Sequence, residues 1–167
     1  MYKACIFDLD GTLTDTLESL TYSVNETLEE LKLKKITQEQ CRSFVGNGAR
    51  CLIERALVAG GDLERSQMEP AMEIYGRIFG ENCTYHVTPY DGIAEMLEQL
   101  KKSGIKLAVL SNKPHLQAVD VVKEFFGEDV FSYVQGQTDS VPRKPDPSAA
   151  LMIAEKLGCK NCLLYTS

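Results

Sequence analysis

The sequence predicts an α/β fold: a doubly wound parallel sheet with a helical domain inserted after the first strand. Three observations carry this. Apolar runs of strand length recur at Ala4–Phe7, Ile105–Leu110, Val130–Gln135 and Cys162–Tyr165. The later three are separated by helical periodicity, and strand–helix–strand alternation is the signature of a parallel sheet. From Thr16 to Tyr85, by contrast, every periodic segment is helical.

Each element has its local reason. Ala4–Phe7 ends abruptly in acids. In the insert, Leu17, Leu20, Val24, Leu28 and Leu31 form one stripe. Thr37-Gln38-Glu39-Gln40 is a capping box that starts a second helix. Leu52, Ile53, Ala56 and Leu57 mark a third, closed by Gly60-Gly61, and Met72, Tyr75, Ile78 and Phe79 a fourth, with Pro70 near its start. Ile93, Met96, Leu97 and Leu100 fall on one helical face, with Asp91 expected as cap and Gly104 as stop. Ala118, Val119, Val122, Phe125 and Phe126 mark the next helix. The last is expected to have Asp146 as N-cap, Pro147 in its first turn and Gly158 at its end. The expected domains are therefore 1–15 with 86–167 as an α/β core, and 16–85 as the helical insert.

Composition narrows the function classes. The 167 residues are 44% hydrophobic and 25% charged, which suits a packed core and argues against disorder. The net charge of −6 argues against a nucleic-acid partner. No apolar run approaches the ~18 residues of a membrane span. The N-terminus meets Asp8 before the ~7–15-residue apolar stretch of a signal peptide could form. A cytoplasmic protein, monomer or homodimer, is expected, and its six cysteines are expected as free thiols. Cys159-Lys160-Asn161-Cys162 has redox or half-zinc spacing but no second pair beside it.

Ligands of open parallel sheets bind beyond the carboxyl ends of the strands. After the first strand comes Asp8-Leu9-Asp10-Gly11-Thr12, after the second Ser111-Asn112-Lys113-Pro114, and after the third, across a loop, Arg143-Lys144-Pro145-Asp146-Pro147. Asp8 and Asp10 are two apart, so in extended chain they point the same way. Two carboxylates about 4 Å apart repel by about 4 kcal/mol at an effective dielectric near 20, so the pair needs a cation or a shared proton. Oxygen donors suit Mg²⁺. One acid can attack phosphorus while the other moves protons. Ser111 could hold a phosphate, and Lys144 could neutralise its charge. Each feature alone reads more simply as a turn or a surface charge. Their convergence at the strand ends of one sheet does not.

These residues resemble a known family. Phe7-Asp8-Leu9-Asp10-Gly11-Thr12-Leu13, Leu110-Ser111-Asn112-Lys113-Pro114 and Lys144-Pro145-Asp146-Pro147 look like the first three motifs of the haloacid-dehalogenase-like (HAD) hydrolases. The insert sits where that family places a helical cap. Phe44-Val45-Gly46-Asn47-Gly48-Ala49, with Leu52–Leu57 after it, is similar to the cap of the phosphoglycolate-phosphatase-like group. The resemblance implies a HAD-like Rossmannoid core and a Mg²⁺-dependent phosphomonoester hydrolase. Asp8 would be nucleophile and metal ligand, and an aspartyl-phosphate would form there. Asp10 would be general acid/base and ligate Mg²⁺ through its backbone carbonyl. Ser111 and Asn112 would position the phosphoryl group, Lys144 would orient Asp8, and Thr12 would support the first loop. An acid at position 10 favours phosphoryl transfer over dehalogenation. Asn47 and Arg50 are the cap residues expected to reach a small phosphorylated metabolite, 2-phosphoglycolate being the first candidate.

The resemblance stops at the C-terminus. In the family a fourth motif, apolar-Val-Gly-Asp with a further Asp, follows the fourth strand and supplies the remaining metal ligand. Here Leu163-Leu164-Tyr165 is followed by Thr166-Ser167. Cys162–Ser167 reads as one translated frame of a common transposase sequencing adapter. The expectation is a C-terminally truncated frame, inactive or impaired as it stands. A sugar-phosphate mutase of the same superfamily and a non-catalytic phosphate-binding protein are the competing readings. A signalling receiver domain fits poorly, since it has no helical insert. There is no Gly-x-x-x-x-Gly-Lys loop, and Gly46-Asn47-Gly48 lacks the third glycine of a dinucleotide fingerprint.

Overall fold

Ala4, Cys5, Ile6 and Phe7 are all buried in the computed structural model, which describes residues 2–159 and, for backbone alone, 164–166. Burial of successive residues means that both faces of this strand are covered, as in a parallel sheet. The elements in chain order are β1 (Ala4–Phe7), β2 (Thr14–Asp15), α1 (Leu17–Glu30), α2 (Gln38–Phe44), α3 (Ala49–Gly60), α4 (Met68–Asn82), β3 (Thr88–Pro89), α5 (Ile93–Lys102), β4 (Lys106–Pro114), α6 (His115–Phe126), β5 (Tyr133–Gln137), α7 (Ser148–Lys156) and β6 (Leu164–Thr166). They form two compact units, residues 1–15 with 88–167 and residues 16–87.

The first unit holds a parallel four-stranded sheet in the order β5-β4-β1-β6. Ala4 and Ile6 of β1 and Ala108 and Leu110 of β4 share a face with Ala149, Ile153 and Leu157 from α7 and the residue after it. Period two in the strands thus meets a four-residue period along the helix. The α/β class predicted from the sequence, with its helical insert after the first strand, is the observed one. A two-stranded antiparallel pair, β2 with β3, was not foreseen. Two residues per strand are too few to leave an alternation.

The second unit consists of α1–α4. Leu20, Val24 and Leu28 of α1 are buried, as are Leu52, Ile53, Ala56 and Leu57 of α3, and Ala71, Tyr75, Ile78 and Phe79 of α4. Thr37 and Gln40 form the expected capping box at α2. Ser19, Ser23 and Thr27 are also buried on α1; Ser23 and Thr27 donate to the carbonyls of Ser19 and Ser23 at 2.9 and 2.8 Å. The Ser19 hydroxyl donates to the Asn82 carbonyl of α4 at 2.8 Å, so all three hydroxyls are satisfied and polar residues can sit on a packed face.

Several local expectations are corrected. Asp91 does not cap α5. Its N-cap is Gly92, in a left-handed conformation with φ of 81°. The N-cap of α7 is Pro147 rather than Asp146, although Asp146 Oδ1 does accept the Ser148 N–H at 2.8 Å. β5 begins at Tyr133, because Phe131 instead turns edge-on to Phe126, 5.7 Å between centroids. β4 continues past Leu110 to Pro114, with an irregular register between those two residues. The Ser111-Asn112-Lys113-Pro114 motif therefore lies in the strand's irregular end and not after it.

Among the described residues, Cys5, Cys41, Cys51, Cys83 and Cys159 are free thiols. Cys162, and with it the Cys-x-x-Cys pair, lies outside the described residues. So does Leu163, where the fourth apolar run was expected to continue from Cys162. No helix among the described residues is long and apolar enough to cross a membrane.

Candidate active site

The first loop is built around a buried leucine. Leu9 is fully enclosed, and its carbonyl accepts the N–H groups of Thr12, Leu13 and Thr14 at 3.3, 3.0 and 3.1 Å. Gly11, with φ of 78°, supplies the left-handed residue this turn requires and donates to the Thr14 carbonyl at 2.9 Å. Thr12 belongs to this turn through its backbone. Asp8 and Asp10 flank Leu9 on either side.

Each acid meets its own lysine. Lys144 Nζ lies 2.9 Å from Asp8 Oδ1, which also accepts the Leu9 N–H at 2.8 Å. Lys113 Nζ lies 3.1 Å from Asp10 Oδ1. Two carboxylates this close need a cation or a shared proton, and two ammonium groups stand beside them. Lys144 was expected beside Asp8. Lys113 stands within the second motif, whose pattern alone assigns it no role. The signal that could have found it is a lysine inside a strand end whose neighbours are buried, because a buried charge has to be paired.

The loop that carries Lys144 is held by Asn112. The Asn112 side chain accepts the Lys144 N–H at 2.9 Å and donates to the Lys144 carbonyl at 3.2 Å. Asn112 was expected to position a phosphoryl group. Both of these bonds go to the backbone of Lys144. Ser111 is buried, and its hydroxyl accepts the Lys113 N–H at 3.1 Å. Asp8, Asp10, Lys113 and Lys144 are thus linked through β1, the end of β4 and the loop before α7.

Asn47 and Arg50 belong to the other unit. Asn47 lies between α2 and α3, flanked by Gly46 and Gly48, both with positive φ. Arg50, in the first turn of α3, pairs with Glu69 at 2.7 Å, which raises the guanidinium's already high pKa.

The donor set can be tested for a metal. Asp8 offers carboxylate oxygens and Asp10 a backbone carbonyl. Hard oxygen donors of this number suit Mg²⁺, which retains water and binds through one or two carboxylates together with substrate phosphate. Among the described residues no group of three or more His, Cys, Asp or Glu could form an all-protein cage for an ion.

The chain's similarities to other proteins point the same way. The family described as haloacid dehalogenase-like hydrolase matches residues 5–162. A phosphoglycolate phosphatase of Psychrobacter arcticus is 36% identical over 159 residues, covering 91% of this chain and 68% of that protein. One from Haemophilus influenzae is 35% identical over 162 residues, covering 94% and 72%. Among solved structures, that of a predicted phosphoglycolate phosphatase from Haemophilus somnus superposes with a TM-score of 0.91 at 28% identity, covering 99% of this chain and 76% of the other.

Proposed function

The chain belongs to the haloacid dehalogenase-like hydrolases, as one of their phosphatases, and we propose that it cleaves a small phosphomonoester through an aspartyl-phosphate on Asp8. The observation that carries this reading is the Asp8–Lys144 pair at 2.9 Å beyond the end of β1. A carboxylate held by an ammonium and by the Leu9 N–H is fixed in orientation before substrate arrives, and fixed orientation lowers the barrier to attack.

In the first step an Asp8 carboxylate oxygen attacks phosphorus. The bond from phosphorus to the substrate's bridging oxygen breaks, and Asp10 gives that oxygen its proton. In the second step Asp10 takes a proton from water. The water oxygen attacks the phosphorus of the aspartyl-phosphate, the acyl-phosphate P–O bond breaks, and orthophosphate leaves with Asp8 regenerated. Lys144 offsets negative charge on Asp8 and on the transferring group. Ser111 lines the same strand end as a phosphoryl-oxygen donor, and Asn112 keeps Lys144 in place. Mg²⁺ would be held by the Asp8 carboxylate and the Asp10 carbonyl, and when bound it supplies positive charge to the phosphoryl oxygens.

The names of the relatives make 2-phosphoglycolate the first substrate to try. Orthophosphate release by the full-length gene product is measured from a panel of phosphomonoesters with and without Mg²⁺. Release that falls to background in Asp8→Asn and on chelation of the metal is the expected result. No release from any member of the panel overturns the reading, and transfer of the phosphoryl group to a sugar in place of water would make the protein a mutase.

A further inference from the structure

We propose that Lys113 is a positioning residue that fixes the Asp10 carboxylate for proton delivery to the leaving oxygen. The inference rests on the phosphatase reading above and adds a residue to its machinery.

The two lysines differ in surroundings. The Lys144 side chain is 27% exposed and its partner Asp8 31%, so this pair opens towards the space that a substrate would enter. The Lys113 side chain is 1% exposed and its partner Asp10 16%. A side chain so enclosed is poorly placed to meet a substrate and acts through the carboxylate it touches. Leaving one charge of such a pair in place without its partner is strongly unfavourable, so the contact constrains both groups.

The backbone around Lys113 is built to hold it. Its N–H donates to Ser111 Oγ at 3.1 Å. On the neighbouring strand stands Gly136, whose N–H donates to His115 Nδ1 at 3.2 Å. A Cβ at position 136 would come within 2.7 Å of the Lys113 carbonyl oxygen and 2.6 Å of His115 Cα. Both are backbone atoms that cannot step aside, so only glycine allows β5 to press against this stretch. The irregular register of β4 between Leu110 and Pro114 falls on the same residues. Bulges beside active sites commonly re-aim a side chain. Here the re-aimed side chain is Lys113, and its target is Asp10 Oδ1.

A residue that positions a general acid matters most where the leaving oxygen most needs a proton. An alkyl phosphate leaves as a strongly basic alkoxide unless protonated, whereas a nitrophenyl phosphate leaves as a stable phenolate. Because kcat/KM reports the step in which the leaving group departs, it separates the two cases. Lys113→Met is expected to lower kcat/KM on an alkyl phosphomonoester at least about tenfold more than on p-nitrophenyl phosphate, a fraction of what a general acid contributes. Equal losses on both substrates, or no loss on either, would overturn the proposal. Should the methionine variant fail to fold, Lys113→Gln, whose shorter neutral amide removes the charge, takes its place, with the loss again greater on the alkyl phosphomonoester though smaller in size. If the full-length wild-type protein hydrolyses neither substrate, the phosphatase reading fails by itself. Positioning is then read from crystal structures of wild type and variant. An Asp10 carboxylate rotated from its wild-type rotamer supports the role, and an unmoved one overturns it.

Discussion

Asn112 uses both ends of its carboxamide on the backbone of one residue, Lys144. Removing the side chain breaks two hydrogen bonds in a half-buried setting, each with a net value of about 1 kcal/mol. Asn112→Ala is therefore expected to lower the unfolding free energy by about 1–2 kcal/mol in urea titrations. It should also slow phosphate release, since Lys144 would no longer be held against Asp8. A variant with unchanged kinetics would show that Lys144 needs no such support. Asp62 shows a different use of a carboxylate. It accepts the Gln67 N–H at 2.9 Å, and the Ser66 N–H and hydroxyl at 3.0 Å each. These bonds, that from the Gln67 backbone foremost, hold its pKa below the ordinary aspartate value. A depressed carboxylate stabilises the fold above its unfolded-state pKa and loses that contribution as pH falls through its folded one. Asp62→Asn should thus lower Tm at neutral pH, with the difference from wild type shrinking below about pH 4. A difference that persists unchanged into acid would mean that charge has no part in this turn.

At the level of elements, the contact between β5 and the irregular end of β4 leaves no room for a side chain at Gly136. Gly136→Ala is expected to cost about 1–3 kcal/mol, as overpacking of a tight contact does. Because the atoms displaced are backbone atoms of Lys113 and His115, phosphate release should fall too. Normal stability and rate would place the clash elsewhere. This contact also marks where the sequence stops being informative. β1 and the core of β4 were legible because buried parallel strands leave unbroken apolar runs. The helices of the insert were legible because their stripes are long, and α2 because its capping box is local chemistry between Thr37 and Gln40. The continuation of β4 through Ser111-Asn112-Lys113-Pro114 was not, since most of its residues are polar and their burial depends on β5 and on the acids that follow β1. The cap of α5 failed for a related reason. Asp91 suits a cap in isolation, but the chain enters the helix through a left-handed Gly92. Asp8 and Lys144 could be named from their places in the motifs, while the Lys113–Asp10 pair required knowing which way an irregular strand turns.

For the molecule as a whole, the residues of the proposed chemistry lie in one of the two units. Asp8, Asp10, Ser111, Asn112, Lys113 and Lys144 all lie within residues 1–15 and 88–167, and the ion pairs and hydrogen bonds described among them close inside that unit. Residues 16–87 leave and re-enter it across the antiparallel pair in which Thr14 faces Pro89 and Asp15 faces Thr88. Facing residues on neighbouring antiparallel strands can be joined by a two-residue turn, for which Asn-Gly is the favoured sequence. The sheet core of Ala4, Ile6, Ala108, Leu110, Ala149, Ile153 and Leu157 contains no residue of the helical unit. A chain in which Asn-Gly replaces residues 16–87 is therefore expected to keep a cooperative thermal transition and a mixed α/β circular dichroism spectrum. If the chemistry lies where its residues lie, that chain should still release phosphate from p-nitrophenyl phosphate. It should lose discrimination among small phosphomonoesters, because substrate choice is the part assigned to the helical unit. Loss of the aryl activity in a chain that folds would show that the helical unit contributes to the reaction itself, and would move the search for further catalytic groups to residues 16–87.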